Sequence, residues 1–155
     1  MNEPTPTAIH RRVAGLRAGT DPTLVARLPV GWVVLGDPQV LDGYCLLLPD
    51  PVVPHLNALG APARTAFLAA MAAFGDVLQA ECGAVRINYA IFGNVEPALH
   101  AHLFPRRHDE PAVRATAQPW AWDWTIAPPF SEAVHGPLRE RLRRAVLRAM
   151  PGALA

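Results

Sequence analysis

The chain has 155 residues, of which 51% are hydrophobic and 17% charged, with a formal net charge of +1. That is the composition of one globular domain with room for a real core, and the near-neutral charge provides no electrostatic footprint for nucleic acid. No stretch is apolar for long enough to span a bilayer, the first ten residues lack the apolar segment of a secretion signal, and the expectation is a cytoplasmic protein with no membrane partner. The cysteines, Cys45 and Cys82, lie far apart without Cys-x-x-Cys spacing and read as buried free thiols of a reducing compartment.

Pro4 and Pro6 predict a flexible lead-in. Ile9, Val13 and Leu16, at helical spacing before Gly19, predict a short helix. The valine-rich run from Leu28 to Leu35 predicts a strand. A second strand, Tyr44 to Leu48, follows the hairpin dipeptide Asp42-Gly43 and ends at Pro49, after which the proline-rich stretch to Pro54 reads as extended loop. Between Ala63 and Cys82 the residues Phe67, Met71, Phe74 and Leu78 mark the core face of the longest helix, with Gly83 as its stop. Val85, Ile87, Tyr89 and Ile91 then alternate with Arg86, Asn88, Ala90 and Phe92 as a strand should. Gly93-Asn94 turns the chain into a strand from Ala98 to Phe104, closed by Pro105. An irregular Pro/Trp segment runs on to Pro128-Pro129, and a final helix carries Val134, Leu138, Leu142 and Val146 on one stripe. With no repeat and no linker, this order predicts a single α+β domain over 1–155 with an antiparallel sheet, its core over 28–125 and its last helix over 131–149.

The chemistry concentrates in Asn88 to Arg106, NYAIFGNVEPALHAHLFPR. On a strand, His100 and His102 project to one side, about 7 Å apart along the chain, while Leu99, Ala101 and Leu103 project to the other. Arg106 lies just past the strand end, and Gly93-Asn94 can offer backbone N–H groups in a turn, a set that suits a phosphate better than a carbonyl. A bare His-x-His is weak by itself, since packing or chance explains most such pairs. Zinc is the competing reading, with only His108 and Asp109-Glu110 at hand as further ligands. Neither cysteine stands in a nucleophile context.

The wider segment resembles the signature of the histidine triad (HIT) proteins, in which alternate histidines on a strand precede a Pro-Arg close. It is most similar to the branch of the diadenosine tetraphosphate hydrolases. The similarity rests on Asn88-Tyr89, Gly93-Asn94 and Pro97 to Arg106, extends upstream through Gly31 to Asp37 and Gly43-Tyr44 to Pro49, and downstream through Asp109-Glu110-Pro111 and Pro119-Trp120. The resemblance implies a HIT-like sheet of about five strands, one long central helix and helices at both ends. It implies that His100 is the nucleophile and that His102 contacts the phosphate and assists the leaving group. Asn88 and Asn94, with Gly93 and Arg106, are then phosphate contacts, and Asp37 reaches a ribose hydroxyl. No cofactor and no metal are implied, and a homodimer with continuous sheets is. The first triad histidine falls on Ala98, Val52 stands where the family has a further histidine, and the N-terminal Cys-x-x-Cys is missing. In the family the nucleophile's second ring nitrogen is held by the backbone carbonyl of the first-histidine residue, and alanine keeps that carbonyl.

The implied activity is a nucleotide phosphohydrolase or nucleotidyl transferase that cleaves a P–O or P–N bond at the α-phosphate through a phosphohistidine. The alternatives are a nucleotide-binding protein without turnover and an interaction protein using its Trp-rich segment. Trp120, Trp122 and Trp124 read as pinning that segment to the domain or covering an interface, in preference to a base-stacking platform. The arginines from Arg139 to Arg148 read as a solvated helix face, and His10, His55 and His135 as surface residues.

Overall fold

The computed structural model describes residues 6–155; Pro4 of the predicted lead-in lies outside them. The first helix, α1 (Ala8–Arg17), starts where the Thr7 side chain accepts a hydrogen bond from the His10 N–H and the His10 ring accepts one from the Thr7 N–H. Reciprocal capping of this kind satisfies amides that the first turn leaves open. Ile9, Val13 and Leu16 form its buried face, as predicted.

The single strand expected from Leu28 to Leu35 is a hairpin instead. β1 (Leu24–Leu28) pairs antiparallel with β2 (Gly31–Leu35) through a tight turn at Pro29-Val30. The valine-rich run conceals the turn, because β-branched residues continue on both sides of it. Gly31 makes the turn possible: its φ is +149°, and a Cβ there would stand 1.9 Å from the Leu48 carbonyl oxygen of the next strand. That strand, β3 (Cys45–Pro49), runs antiparallel to β2, but segment 36–44 between them is a loop, not the two-residue turn that Asp42-Gly43 suggested. Gln39 holds the loop from inside, donating to the carbonyls of Gly36 and Tyr44 and accepting from the Gly43 N–H.

The long helix, α2 (Ala61–Cys82), buries Phe67, Phe74 and Leu78 and half-buries Met71, and it ends at left-handed Gly83. β4 (Arg86–Ile91) forms as predicted and lies at the sheet edge. β5 (Ala101–Arg106) begins three residues later than expected and includes Pro105 and Arg106. Pro105 is tolerated because Arg106 accepts from Val85 N on the β4 side. Its neighbour Pro105 therefore faces the β3 side, where the β3 register has already ended opposite Leu103. The sheet order is β1-β2-β3-β5-β4, all antiparallel, giving the five-stranded α+β architecture that was expected.

One face of the sheet, with Val33, Leu35, Leu47, Ala101 and Leu103, packs against α2 and the last helix. The other, with Trp32, Val34, Leu46, Leu48 and Phe104, packs against α1 and the Trp segment. That segment contains one short helix, α3 (Ala112–Ala115), and two 3-10 turns.

The last helix, α4 (Glu132–Ala149), corrects three expectations. Val134 is 68% exposed, and the buried row is His135, Leu138, Leu142, Ala145 and Val146. A row of steps of four rotates about 40° per step, so Val134 had left the face that Val146 occupies. His135 is buried, not superficial, and its Nδ1 accepts from Ser131 N at the helix start. Arg139 and Arg143 are not merely solvated: Arg143 donates to the carbonyls of Leu24 and Val25, and Arg139 to Pro22, on the outer edge of β1. Leu154 also pairs with Arg27 on that edge, and among the described residues the β4 edge is the open one. Among the described residues no helix is long and apolar enough to cross a membrane.

Replacing Gly31 with alanine is expected to destabilise the fold by about 2–4 kcal/mol, through a clash with backbone rather than with a movable side chain. Urea denaturation checks this, and an unchanged midpoint would mean the hairpin relaxes freely.

Candidate functional site

His102 lies on β5 opposite Ala90 of β4 and Leu46 of β3, on the face covered by α1 and the Trp segment. His100 precedes the first residue of β5, yet its ring turns to the same face. The two ring centroids are 4.7 Å apart with planes at 71°. The predicted side-by-side pair is therefore present, with the rings leaning together. Leu99, Ala101 and Leu103 point into the opposite core, as alternation requires.

His100 is buried, and its Nδ1 lies 2.7 Å from the Ala98 carbonyl oxygen. A carbonyl only accepts, so Nδ1 carries the proton and Nε2 keeps its lone pair. The side chain of residue 98 plays no part in that bond; it is fully buried in the apolar cluster under α1.

His102 is held differently. The Tyr44 hydroxyl lies 2.7 Å from its Nδ1, the two rings stack with centroids 5.9 Å apart, and Trp120 closes over it edge-on at 5.0 Å. Burial, with a smaller contribution from the neighbouring His100, pushes the imidazole pKa down to about 3. Burial also raises the Tyr44 phenol above its usual value, so the phenol keeps its proton and donates it to Nδ1. His102 is thus a neutral ring with its own proton on Nε2. Tyr44 belongs to the quoted Gly43-Tyr44 strand, but nothing in the sequence marks it as the partner of a histidine 58 positions away.

The expected phosphate contacts divide. Gly93 and Asn94 stand exposed in the turn that leads to His100, and the Asn94 side chain makes no hydrogen bond among the described residues. Arg106 was expected past the strand end and free for phosphate. It is the last residue of β5, it is buried, and all five of its N–H groups meet protein acceptors. Nε and one terminal nitrogen bind Glu110; the remaining bonds go to Asn88 Oδ1 and the carbonyls of Arg114, Ala115 and Ala117. Asn88 is accordingly tied to Arg106 through its oxygen. Asp37 accepts from Phe130 N and lines a small cavity with Ala8, Arg12 and Thr23.

Glu96 was not singled out by the sequence. Its carboxylate accepts from the N–H groups of Ala8 and Ile9, at 3.2 Å each, which anchors the 93–97 turn to the start of α1. Burial pushes this carboxyl up, but the bonds from Thr7, Ile9 and Ala8 together with the nearby His100 outweigh it, and its pKa is lowered. Trp122 is buried with the guanidinium groups of Arg106 and Arg114 over its ring at 5.1 and 4.9 Å, and its N–H has no partner among the described residues. The Trp segment is pinned to the domain, as expected. Among the described residues no three His, Cys, Asp or Glu side chains are grouped so as to hold a metal ion.

Solved structures with this architecture decide the fold. A histidine triad protein from Marinobacter aquaeolei VT8 superposes with a TM-score of 0.71 at 19% identity, over 92% of this chain and 98% of its own. A histidine triad protein from Sinorhizobium meliloti 1021 gives 0.68 at 20% identity, over 84% and 93%. The chain has the histidine triad fold. A hypothetical histidine triad nucleotide-binding protein from Sulfolobus tokodaii strain7 shares it too, with a TM-score of 0.69 at 11% identity over 88% and 91%. No protein-family profile matches the chain, and no curated protein sequence does. In this histidine triad fold the pair sits where β5 emerges from the 93–97 turn, with a backbone carbonyl and a phenol as its two anchors.

The depressed pKa of His102 has two observable consequences. Its imidazole resonances are expected to stay constant from pH 8 to pH 4.5; titration near 6.5 would contradict its burial. Between pH 6.5 and pH 3 the unfolded chain binds a proton at this residue that the folded chain does not, so stability falls as pH drops through that window. A His102→Gln variant should show a shallower decline from pH 7 to pH 4 in thermal melts. Removing Glu110 is expected to cost about 3 kcal/mol, because Glu110→Ala leaves the Arg106 charge buried without its counter-ion; chemical denaturation measures it.

Proposed function

We propose that the chain belongs with the histidine triad proteins in function as well as fold, as a nucleotide hydrolase or transferase acting at an α-phosphate. The observation that carries this reading is the bond from His100 Nδ1 to the Ala98 carbonyl. It leaves an unprotonated Nε2 beside a second imidazole.

His100 Nε2 attacks the α-phosphorus, a P–N bond forms, and the P–X bond breaks with its electron pair leaving on X. Water then attacks the phosphohistidine; the P–N bond breaks, its electron pair returns to Nε2, and the water gives up a proton to solvent as the nucleoside monophosphate departs. Another acceptor in place of water makes the same enzyme a transferase. His102 is neutral, so its role is to donate a hydrogen bond from Nε2 to the phosphate or the departing atom, not to deliver a proton. Gly93 and Asn94 supply N–H groups to the equatorial oxygens, where most of the stabilisation of phosphoryl transfer arises. Asn88 contributes through its amide NH2, its oxygen being taken by Arg106. Arg106 acts by holding the site together, and Asp37 is assigned to the ribose on resemblance alone. A homodimer through the open β4 edge, on which Val85 and Tyr89 are exposed, belongs to the same reading.

Dinucleoside polyphosphates and nucleoside phosphoramidates are the substrates to assay. His100→Ala is expected to lower kcat/KM by about a thousandfold or more with its circular dichroism unchanged. Ala98→Gly, which keeps the carbonyl, should retain turnover. Full activity in His100→Ala would overturn the mechanism. Binding without turnover in the native chain would favour a nucleotide-binding protein that lost its chemistry when Ala98 replaced the first histidine.

A further inference from the structure

A helix start presents open amides and a partial positive charge, and both favour an anion. The first turn of α1 contains no acidic residue of its own. Glu96 supplies the anion from 88 positions along the chain: one carboxylate oxygen accepts from Ala8 N and the other from Ile9 N, at 3.2 Å each. The Thr7 hydroxyl answers His10 N, so Glu96 and Thr7 together satisfy this end of the helix. Glu96 is half-buried, whereas Val95 and Pro97 on either side of it are exposed. Among the described residues, its carboxylate is the one hydrogen-bonded tie between residues 93–98 and any helix or strand.

From that tie a short chain of bonds leads to His100. The Glu96 carbonyl accepts from Ala98 N at 2.8 Å, and the Ala98 carbonyl accepts from His100 Nδ1 at 2.7 Å. Because peptides are planar, the direction of the Ala98 carbonyl is set by the peptides on either side of that residue. The one after it donates its Leu99 N–H to the Val53 carbonyl, a backbone anchor. The one before it is held only as firmly as Glu96 is. Packing adds to the link, since Ala98 is fully buried in one apolar cluster with Ile9 and Val13 of α1.

We propose, resting on the function argued above for the role of His100, that Glu96 is a positioning residue. Clasped to the start of α1, it fixes the backbone at Ala98 and thereby the tautomer and aim of the His100 ring. The clasp needs both carboxylate oxygens and the charge, because two amides at a helix start bind a carboxylate by charge-assisted bonds. Glutamine keeps one acceptor oxygen and no charge, so it restores part of the clasp.

The test reads the ring directly, through the imidazole nitrogen resonances of the full chain, with His100 identified by its loss in His100→Ala. The native ring should show one protonated and one unprotonated nitrogen. In Glu96→Ala both signals should move towards the average of a freely tautomerising imidazole, with Glu96→Gln in between. Gly31→Ala, which destabilises the fold away from the clasp, should keep the native pattern. In turnover, Glu96→Ala should lower kcat by about tenfold or more and leave KM nearly unchanged. A native pattern in Glu96→Ala, or an equal shift in Gly31→Ala, overturns the clasp. Should Glu96→Ala fail to fold, Glu96→Gln decides by the same resonances, a native pattern again counting against the clasp. A native chain that turns over no nucleotide while its resonances respond as expected overturns the proposed function and leaves Glu96 as the anchor of His100.

Discussion

A guanidinium shut away from water must have every N–H answered by protein, and Arg106 is such a group at a junction of the fold. It ends β5, takes the Asn88 oxygen on β4, pairs with Glu110 just beyond the strand, and binds three carbonyls of residues 114–117. Burial pushes the Glu110 carboxyl up, yet the Arg106 bonds and the Arg107 N–H hold it below the usual carboxylate range, so the pair is ionised where both groups are nearly inaccessible. A buried pair of this kind owes its persistence to the completeness of its hydrogen bonds, since attraction alone seldom offsets the desolvation of two ions. The consequence is spatial. With residues 110–117 fixed to the end of β5, the chain that follows has to lie across the sheet face on which the two histidines stand.

The tail laid down in this way creates the chemistry of His102. Trp120 and Phe104 flank the ring, Tyr44 stacks against it, and removal of water is what keeps the imidazole neutral far below its ordinary range. Tyr44 then decides which nitrogen carries the proton. The ring's charge state and tautomer thus follow from packing that Arg106 organises from the far end of the same strand. His100 needs none of this, because its anchor is a backbone carbonyl two residues away.

That difference explains what could be read from the sequence. Helix periodicity located α1 and α2, alternation located β4, and the spacing of His100 and His102 placed both rings on one face; each of these depends only on local geometry. The bond to the Ala98 carbonyl was expected from the resemblance to the histidine triad proteins, and the His100 ring makes it. The misreadings arose where distant contacts decide. The Pro29-Val30 turn lay inside an apolar run and is stabilised by the close approach of Gly31 to Leu48. Pro105 was read as a terminator because the end of the neighbouring β3 strand, which permits it, cannot be seen locally. His135 and Arg143 were assigned to the surface although one answers Ser131 and the other the carbonyls of β1, across 119 positions from Arg143 to Leu24. Arg106 was assigned to a ligand because a guanidinium beside two histidines suits phosphate equally well, and only the fold reveals that its valences are filled.

Ala98 illustrates how little a side chain need matter when the backbone carries the function. A histidine or an alanine at this position presents the same carbonyl to the His100 ring, so the orienting bond does not depend on the side chain. What does change is the space behind the pair, which α1 and the apolar cluster with Ile9, Val13 and Leu46 now fill. That side of the pair is therefore apolar, while an open groove lined by Phe92, Trp120 and Arg86 lies on the other, along β4. In the function proposed above, a closed apolar wall strengthens each hydrogen bond to a bound phosphate by excluding water.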